Sequence, residues 1–219
     1  MKTAILRILG LALVISPAVV GFAQNKKPTA AYYITKEQVD TVNKTPGVDR
    51  TIQVMDIGDQ HFSVGIIHRG ATGAPAAAAA RPAGAAPAAP PANTQPCGDT
   101  VPAAQVPAGL SSGLYHSGQT EGYYIVSGEG TIVTGGHIIN GRTSAPDAEV
   151  TTTLNGPSCS GRIGGNDVVH KFVKTGDIVI IPAGVPHGWD EIKDHVDYLS
   201  FRPSSNVLTV GYQHPSIKK

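Results

Sequence analysis

Residues 176–187 read Gly176-Asp-Ile-Val-Ile-Ile-Pro182-Ala-Gly184-Val-Pro-His187. The run Ile-Val-Ile-Ile is short, apolar and β-branched, which predicts a strand. Gly176 permits a tight turn before it, and Pro182 with Gly184 ends it and turns the backbone sharply. His187 is thereby held at a defined place. Short, turn-bounded strands continue on both sides. VVHKFVK (168–174) precedes this stretch, and HVDYLSFR (195–202) and NVLTVGY (206–212) follow it. Upstream, GLSSGLYH (109–116) leads to GYYIVSGEGTIVTGG (122–136), where Ser127-Gly128-Glu129-Gly130 predicts a hairpin turn. Residues 140–167 are polar and Gly-rich, with one strand expected at 149–154. Nearer the N-terminus, RTIQVMDI (50–57) and HFSVGIIH (61–68) flank Gly58-Asp59-Gln60. In the second of these, Phe62, Val64, Ile66 and His68 share one face by period-two alternation. One short helix is expected over 34–44. Thr35 and Gln38 have the spacing of a capping box, Ile34 and Val39 that of a hydrophobic staple, and Pro46-Gly47 ends the helix. About nine or ten short strands and one helix predict an all-β sandwich or barrel.

A second block carries chemistry: His116-Ser-Gly-Gln-Thr-Glu121-Gly-Tyr-Tyr-Ile-Val-Ser-Gly128. Glu121 opens an otherwise apolar, aromatic strand and shares a face with Tyr123 and Ile125. A buried carboxylate needs a cation or hydrogen bonds. A divalent metal held by His116, Glu121 and His187 would supply the cation. Two histidines and one carboxylate form the donor set of many non-haem iron sites and of some catalytic zinc sites.

In these two blocks the chain resembles the cupin superfamily, small jelly-roll β-barrels. The family's second motif, G-x5-P-x-G-x2-H-x3-N, matches from Gly176 through Pro182 and Gly184 to His187. It departs only at its last position, where Glu191 stands for Asn. The first, G-x5-H-x-H-x3-4-E-x6-G, matches at His116, Glu121 and Gly128. It departs at its first histidine, where this chain has Leu114. The resemblance implies a jelly-roll barrel (a double-stranded β-helix) over 50–219, preceded by a segment 24–49 bearing the short helix. It also implies a metal (Fe, Mn or Zn) on His116, Glu121 and His187. The family's fourth ligand is missing with Leu114, and Gln119, His68 and His195 are candidates to compensate. Tyr123 is a candidate catalytic acid or orienting group. Tyr123 and Trp189 are candidates for an aromatic pocket wall or, equally, for filling the barrel mouth, while Tyr124 should face the other way. His137 and His170 read as surface or strand histidines, and His61 and His214 carry no signal.

Composition narrows the rest. The 219 residues include 26 Gly and 17 Pro, which suits a turn-rich β fold better than a helical bundle. Seventeen basic residues balance 16 acidic ones, so no charge excess favours nucleic acid or an anionic membrane. Residues 1–23 place Lys2 and Arg7 before an apolar run (Ile8 to Ile15), with Gly21 and Ala23 at the small positions before a cut. That is the pattern of a secretory signal peptide, and the expected location is periplasmic or secreted. Cys97 and Cys159 sit among Gly, Pro, Ser and Asn, and an oxidising compartment favours their pairing. The bridge would close a loop of about 60 residues, worth roughly 4 kcal/mol in the chain-entropy model. Between Ala74 and Ala92 stand 12 Ala and 5 Pro, within a flexible surface loop expected over 71–96.

The expected function is that of an exported, metal-dependent small-molecule enzyme, oxygenase- or isomerase-like. The alternative is a non-enzymatic small-molecule or sugar-binding protein with a weakened or lost metal site. A structural secreted protein with a vestigial site is a third. No phosphate loop or dinucleotide fingerprint supports another chemistry. The expected partner is a small molecule, with no nucleic acid, no membrane after signal cleavage, and a homodimer left open.

Overall fold

The computed structural model describes residues 28–72, 92–204 and 207–218. The expected signal peptide, residues 1–23, and most of the Ala/Pro run lie outside the described residues. Helix α1 (Lys36–Asn43) forms where expected, with both halves of the capping box made: Thr35 Oγ1 accepts from Gln38 N, and Gln38 Oε1 from Thr35 N. Among the described residues eleven strands follow. They are β1 (Asp49–Asp56), β2 (His61–Gly70), β3 (Pro96–Cys97), β4 (Ser112–His116), β5 (Glu121–Thr134) and β6 (His137–Thr143). Then come β7 (Ser158–Gly164), β8 (Val169–Lys174), β9 (Ile178–Ile181), β10 (His187–Glu191) and β11 (His195–Ser204).

All strand pairs are antiparallel, and they form two sheets that share β5. The first half of β5 lies between β9 and β11, and β2 and β1 continue that sheet. Its second half pairs β8 and β10, and the sheet continues through β4, β7, β6 and β3. The expected hairpin at Ser127–Gly130 is therefore one continuous strand that passes from sheet to sheet. The bend is at Gly128, with φ +73°, where an added Cβ would stand 2.0 Å from His195 O. Glycine is needed there for close approach and positive φ, and not for chain reversal.

Two further expectations fail. Residues Val150–Leu154 form a π-helical turn, closed by Asn155 N donating to Val150 O (2.8 Å). The β-branched composition of this segment is overridden by the tertiary contacts that fix it, such as Thr51 Oγ1 donating to Thr153 O. The Gly-rich residues around it instead form β6 and β7, since their glycines admit close neighbours. A Cβ on Gly161 would meet Ile138 Cγ2 at 2.6 Å. Residues 207–212 are turns tied down by Thr209 N to Thr152 O and Gly211 N to Val54 O.

The main core lies between the sheets and includes Ile67, Tyr123, Ile125, Ile132, Val173 and Tyr198. A second, with Val42, Ile52, Ile66 and Ile217, fills the outer face of the first sheet beneath α1 and the C-terminal stretch. Cys97 and Cys159 are joined, as expected, across 62 residues of chain beside a third cluster of Val133, Ile138 and Ile163. Among the described residues no helix is long and apolar enough to cross a membrane.

Candidate metal centre

Turn chemistry and strand register bring the two blocks together. His116 ends β4, Glu121 opens β5 and His187 opens β10, directly after the Pro182–Gly184 turn. Gly184 N donates to His116 O (2.8 Å), which fastens that turn to the first block. The side chains of all three residues are buried, and their ligand atoms lie within 4.8 Å of one another. Glu121 Oε2 lies 3.2 Å from His116 Nε2 and 3.1 Å from His187 Nε2. It also accepts the Tyr123 hydroxyl at 2.8 Å.

The protons on these imidazoles follow from their far sides. His187 Nδ1 stands 3.0 Å from Val185 O, and a carbonyl only accepts, so Nδ1 carries the hydrogen. Ser158 Oγ donates to Gly156 O (2.8 Å), so it must accept from His116 Nδ1 (2.8 Å). Neutral, both rings turn Nε2 toward a carboxylate oxygen, and Asn155 Nδ2 also reaches His116 Nε2 (3.1 Å). Three such atoms converging in a buried site form a donor set that one cation between them would satisfy. Bonds of about 2.0–2.2 Å to one ion put neighbouring donors roughly 3.0–3.4 Å apart, the spacing found here. Outer hydrogen bonds from Nδ1 to a carbonyl and a hydroxyl are those that orient metal-binding imidazoles. The donor set fits a divalent metal.

The other carboxylate oxygen is already saturated. Glu121 Oε1 accepts from Ser200 Oγ (2.9 Å), Arg202 Nε (3.0 Å) and Asn155 Nδ2 (3.3 Å). Arg202 is fully buried and continues to Asp49 Oδ2 (2.6 Å) and Leu154 O (2.8 Å). Glu121 thus has both a cation and hydrogen bonds from the chain itself, and only Oε2 is left for an ion. Burial pushes the Glu121 pKa up, but its hydrogen-bond partners and the Arg202 charge outweigh it and hold the carboxyl well below its usual range. Burial lowers the His116 pKa despite the nearby carboxylate, keeping the ring neutral. Burial and then the Glu121 charge push Tyr123 well above its usual pKa, so the phenol keeps its proton.

The remaining candidates separate. Leu114 stands directly opposite His187 in the β4–β10 register, and an inward-facing leucine gives no donor there. Gln119 is buried, with neither amide atom hydrogen-bonded among the described residues and no contact to the three ligands. His68 and His195 do not compensate: their rings stack at 6.2 Å on the opposite face of β11, around Asp197. Tyr123 and Trp189 both pack on Tyr198, with centroids at 4.4 and 5.6 Å, as part of the main core. Tyr124 faces outward and is exposed, as expected. His137 meets Asp99 and His170 meets Asp190, both half-exposed. Sequence reasoning missed Asn155, Ser158, Ser200, Arg202 and Asp49. Ser200 and Arg202 were detectable in principle, as polar residues in phase with Tyr198 on the inward side of β11.

A barrel of two antiparallel sheets, with both motif blocks meeting on its inner wall, is a cupin-type jelly roll. No family model matches the chain, and no curated protein matches it. Among solved structures it is similar to BH2720 of Bacillus halodurans, at 11% identity and TM-score 0.39, over 86% of this chain and 88% of that one. It is also similar to an uncharacterized protein with a double-stranded β-helix domain from Klebsiella pneumoniae, at 13% identity and TM-score 0.35, over 81% and 94%. A recombinant oxalate oxidase solved with glycolate is similar at 15% identity and TM-score 0.31, over 75% of this chain and 55% of that one. These are loose likenesses. What makes the architecture cupin-type is this chain's own topology and the placement of its two blocks.

Proposed function

We propose that this is an exported protein that binds a divalent metal through His116, Glu121 and His187 and acts on a small molecule as a metal-dependent enzyme, oxygenase- or isomerase-like. The observation that carries it is the convergence of two imidazole Nε2 atoms on Glu121 Oε2 in a buried site. When bound, the ion supplies a Lewis-acid centre, or one that binds O₂ if it is redox-active. Ser158 and Val185 O fix the imidazole tautomers, Arg202 and Ser200 hold the carboxylate to one free oxygen, and Tyr123 keeps a proton on its phenol beside that oxygen. Tyr123 is the candidate catalytic residue. The formed disulfide supports an oxidising compartment.

A second reading is favoured by Arg202, which already neutralises Glu121: a non-enzymatic small-molecule or sugar-binding barrel whose metal site is lost. Metal analysis of protein purified from its native compartment separates the two. Stoichiometric iron, manganese or zinc that His187→Ala loses supports the first. A metal-free wild type that takes up no ion when supplied supports the second.

A further inference from the structure

Leu114 leaves the metal centre one donor short, and the side chain beside the ligands that could make it up comes from an unexpected place. Asn155 follows the π-helical turn Val150–Leu154 and is 7% exposed. Its amide Nδ2 lies 3.1 Å from His116 Nε2 and 3.3 Å from Glu121 Oε1. We infer that Asn155 is the fourth metal donor, its amide oxygen taking the part of the absent histidine. This rests on the metal-binding reading above.

Three observations carry it. First, the amide stands at the same spacing from His116 Nε2 as Glu121 does (3.1 and 3.2 Å), the spacing of neighbours around one ion. Second, the two ends of an amide have the same shape, so turning it over brings Oδ1 to where Nδ2 stands. The turn frees the His116 lone pair that the amide N–H occupies. Glu121 Oε1 meanwhile keeps Ser200 and Arg202 as donors. Third, the segment is anchored like a ligand loop. Arg202 Nη1 holds Leu154 O and Thr51 Oγ1 holds Thr153 O. Ser158, just beyond, orients His116 and is itself held by Gly156 O. One short segment thus supplies a donor and the hydroxyl that fixes another. The ligand set becomes two imidazoles, one carboxylate oxygen and one amide oxygen, a harder set than three imidazoles and a carboxylate.

The test uses the full mature chain stripped with chelator, titrated with Zn²⁺ against a chromophoric competitor and with Co²⁺ by visible absorption, at one fixed pH. Asn155→Leu should weaken Zn²⁺ at least about tenfold and change the intensity of the Co²⁺ bands. Asn155→Asp, which offers an oxygen in either orientation, should bind as tightly as wild type or tighter. The urea midpoints of the metal-free variants report folding, and Asn155→Asp keeps the test decisive if Asn155→Leu does not fold. If Asn155→Leu binds as tightly as wild type with unchanged Co²⁺ bands, or binds more tightly, the amide only competes for the His116 lone pair and the inference fails. Loss of binding in Asn155→Asp also overturns it. His187→Ala distinguishes the underlying reading: if folded wild type and His187→Ala bind both ions alike, or neither binds, the metal site itself is wrong and this inference falls with it.

Discussion

Strand β11 carries two polar clusters, one on each face. Inward, Ser200 and Arg202 meet Glu121, with the two histidines beyond it. Outward, Asp197 meets His68 (2.6 Å) and Ser127 (2.9 Å), and Ser127 touches His195 (3.3 Å). Each cluster contains acids, histidines and serines. What differs is water. Arg202 and Glu121 are 0% and 1% exposed, whereas His68 is 48% exposed. Away from water the charges must balance by contact, so Arg202 is held between Glu121 and Asp49 and Oε1 of Glu121 is taken. On the surface the same residue types need no such closure, because solvent completes their hydrogen bonds.

Arg202→Met breaks the comparison hardest. It strands Glu121 and Asp49 as buried or half-buried carboxylates, and removing one partner of a buried pair costs about 3–5 kcal/mol. The urea midpoint of chelator-treated protein measures it. Adding Glu121→Gln in the same chain should recover part of the loss, because the stranded charge goes with it. A single variant as stable as wild type would mean that the interior is wetter than its burial indicates.

Acid probes the same cluster. The unfolded His116 takes up a proton near pH 6.5, while the folded ring, with its pKa lowered by burial, resists it. Unfolding therefore binds protons, and stability falls as pH drops below about 6.5. Glu121 adds its share lower down: its pairing stabilises the fold above the unfolded carboxyl pKa, and that is lost as pH falls through the depressed folded value. The urea midpoint should drop between pH 7.5 and 5.5, and the drop should shrink in His116→Asn. An equal drop in both proteins would assign it to other groups.

Gly65→Val is the intermediate case. An added Cβ at Gly65 would sit 3.3 Å from Arg50 O and 3.4 Å from Arg202 Nη1, so the guanidinium lies over this glycine. The larger side chain crowds it, at about 1–3 kcal/mol by the usual cost of overpacking. A wild-type urea midpoint in this variant would show that Arg202 has room to move.

How much of this could be read beforehand follows the same division. His116, Glu121 and His187 are legible because turn residues bracket them at fixed spacing, and the disulfide because the chain has only two cysteines, although these stand in strands β3 and β7 and not in the loops their neighbours suggest. The strands of alternating β-branched residues are legible too. Gly128 misleads, since a glycine that bends a strand between sheets and one that reverses it look alike in sequence. The π-turn at Val150–Leu154 hides behind residues that favour strands. Arg202 is marked only as a polar residue on an inward face and Asn155 not at all, because their partners lie 81 and 39 residues away in the chain. Such pairings are decided by which strands become neighbours, and no spacing rule encodes that.

The smallest expected effect belongs to the outer cluster. Asp197→Asn keeps the shape and the hydrogen bond from Ser127 while removing the charge beside His68. The pair is only partly open to water, with His68 48% and Asp197 14% exposed, and pairs that water reaches contribute roughly 0–1 kcal/mol. The urea midpoint should therefore move by less than for any inward variant. What difference remains should diminish in 1 M salt, where the screening length falls to about 3 Å. The Arg202→Met loss should persist in that salt, since ions do not enter the interior. If Asp197→Asn cost as much as Arg202→Met and kept its cost in salt, the outer cluster would be a second closed network, and exposure would not be what separates the two faces of β11.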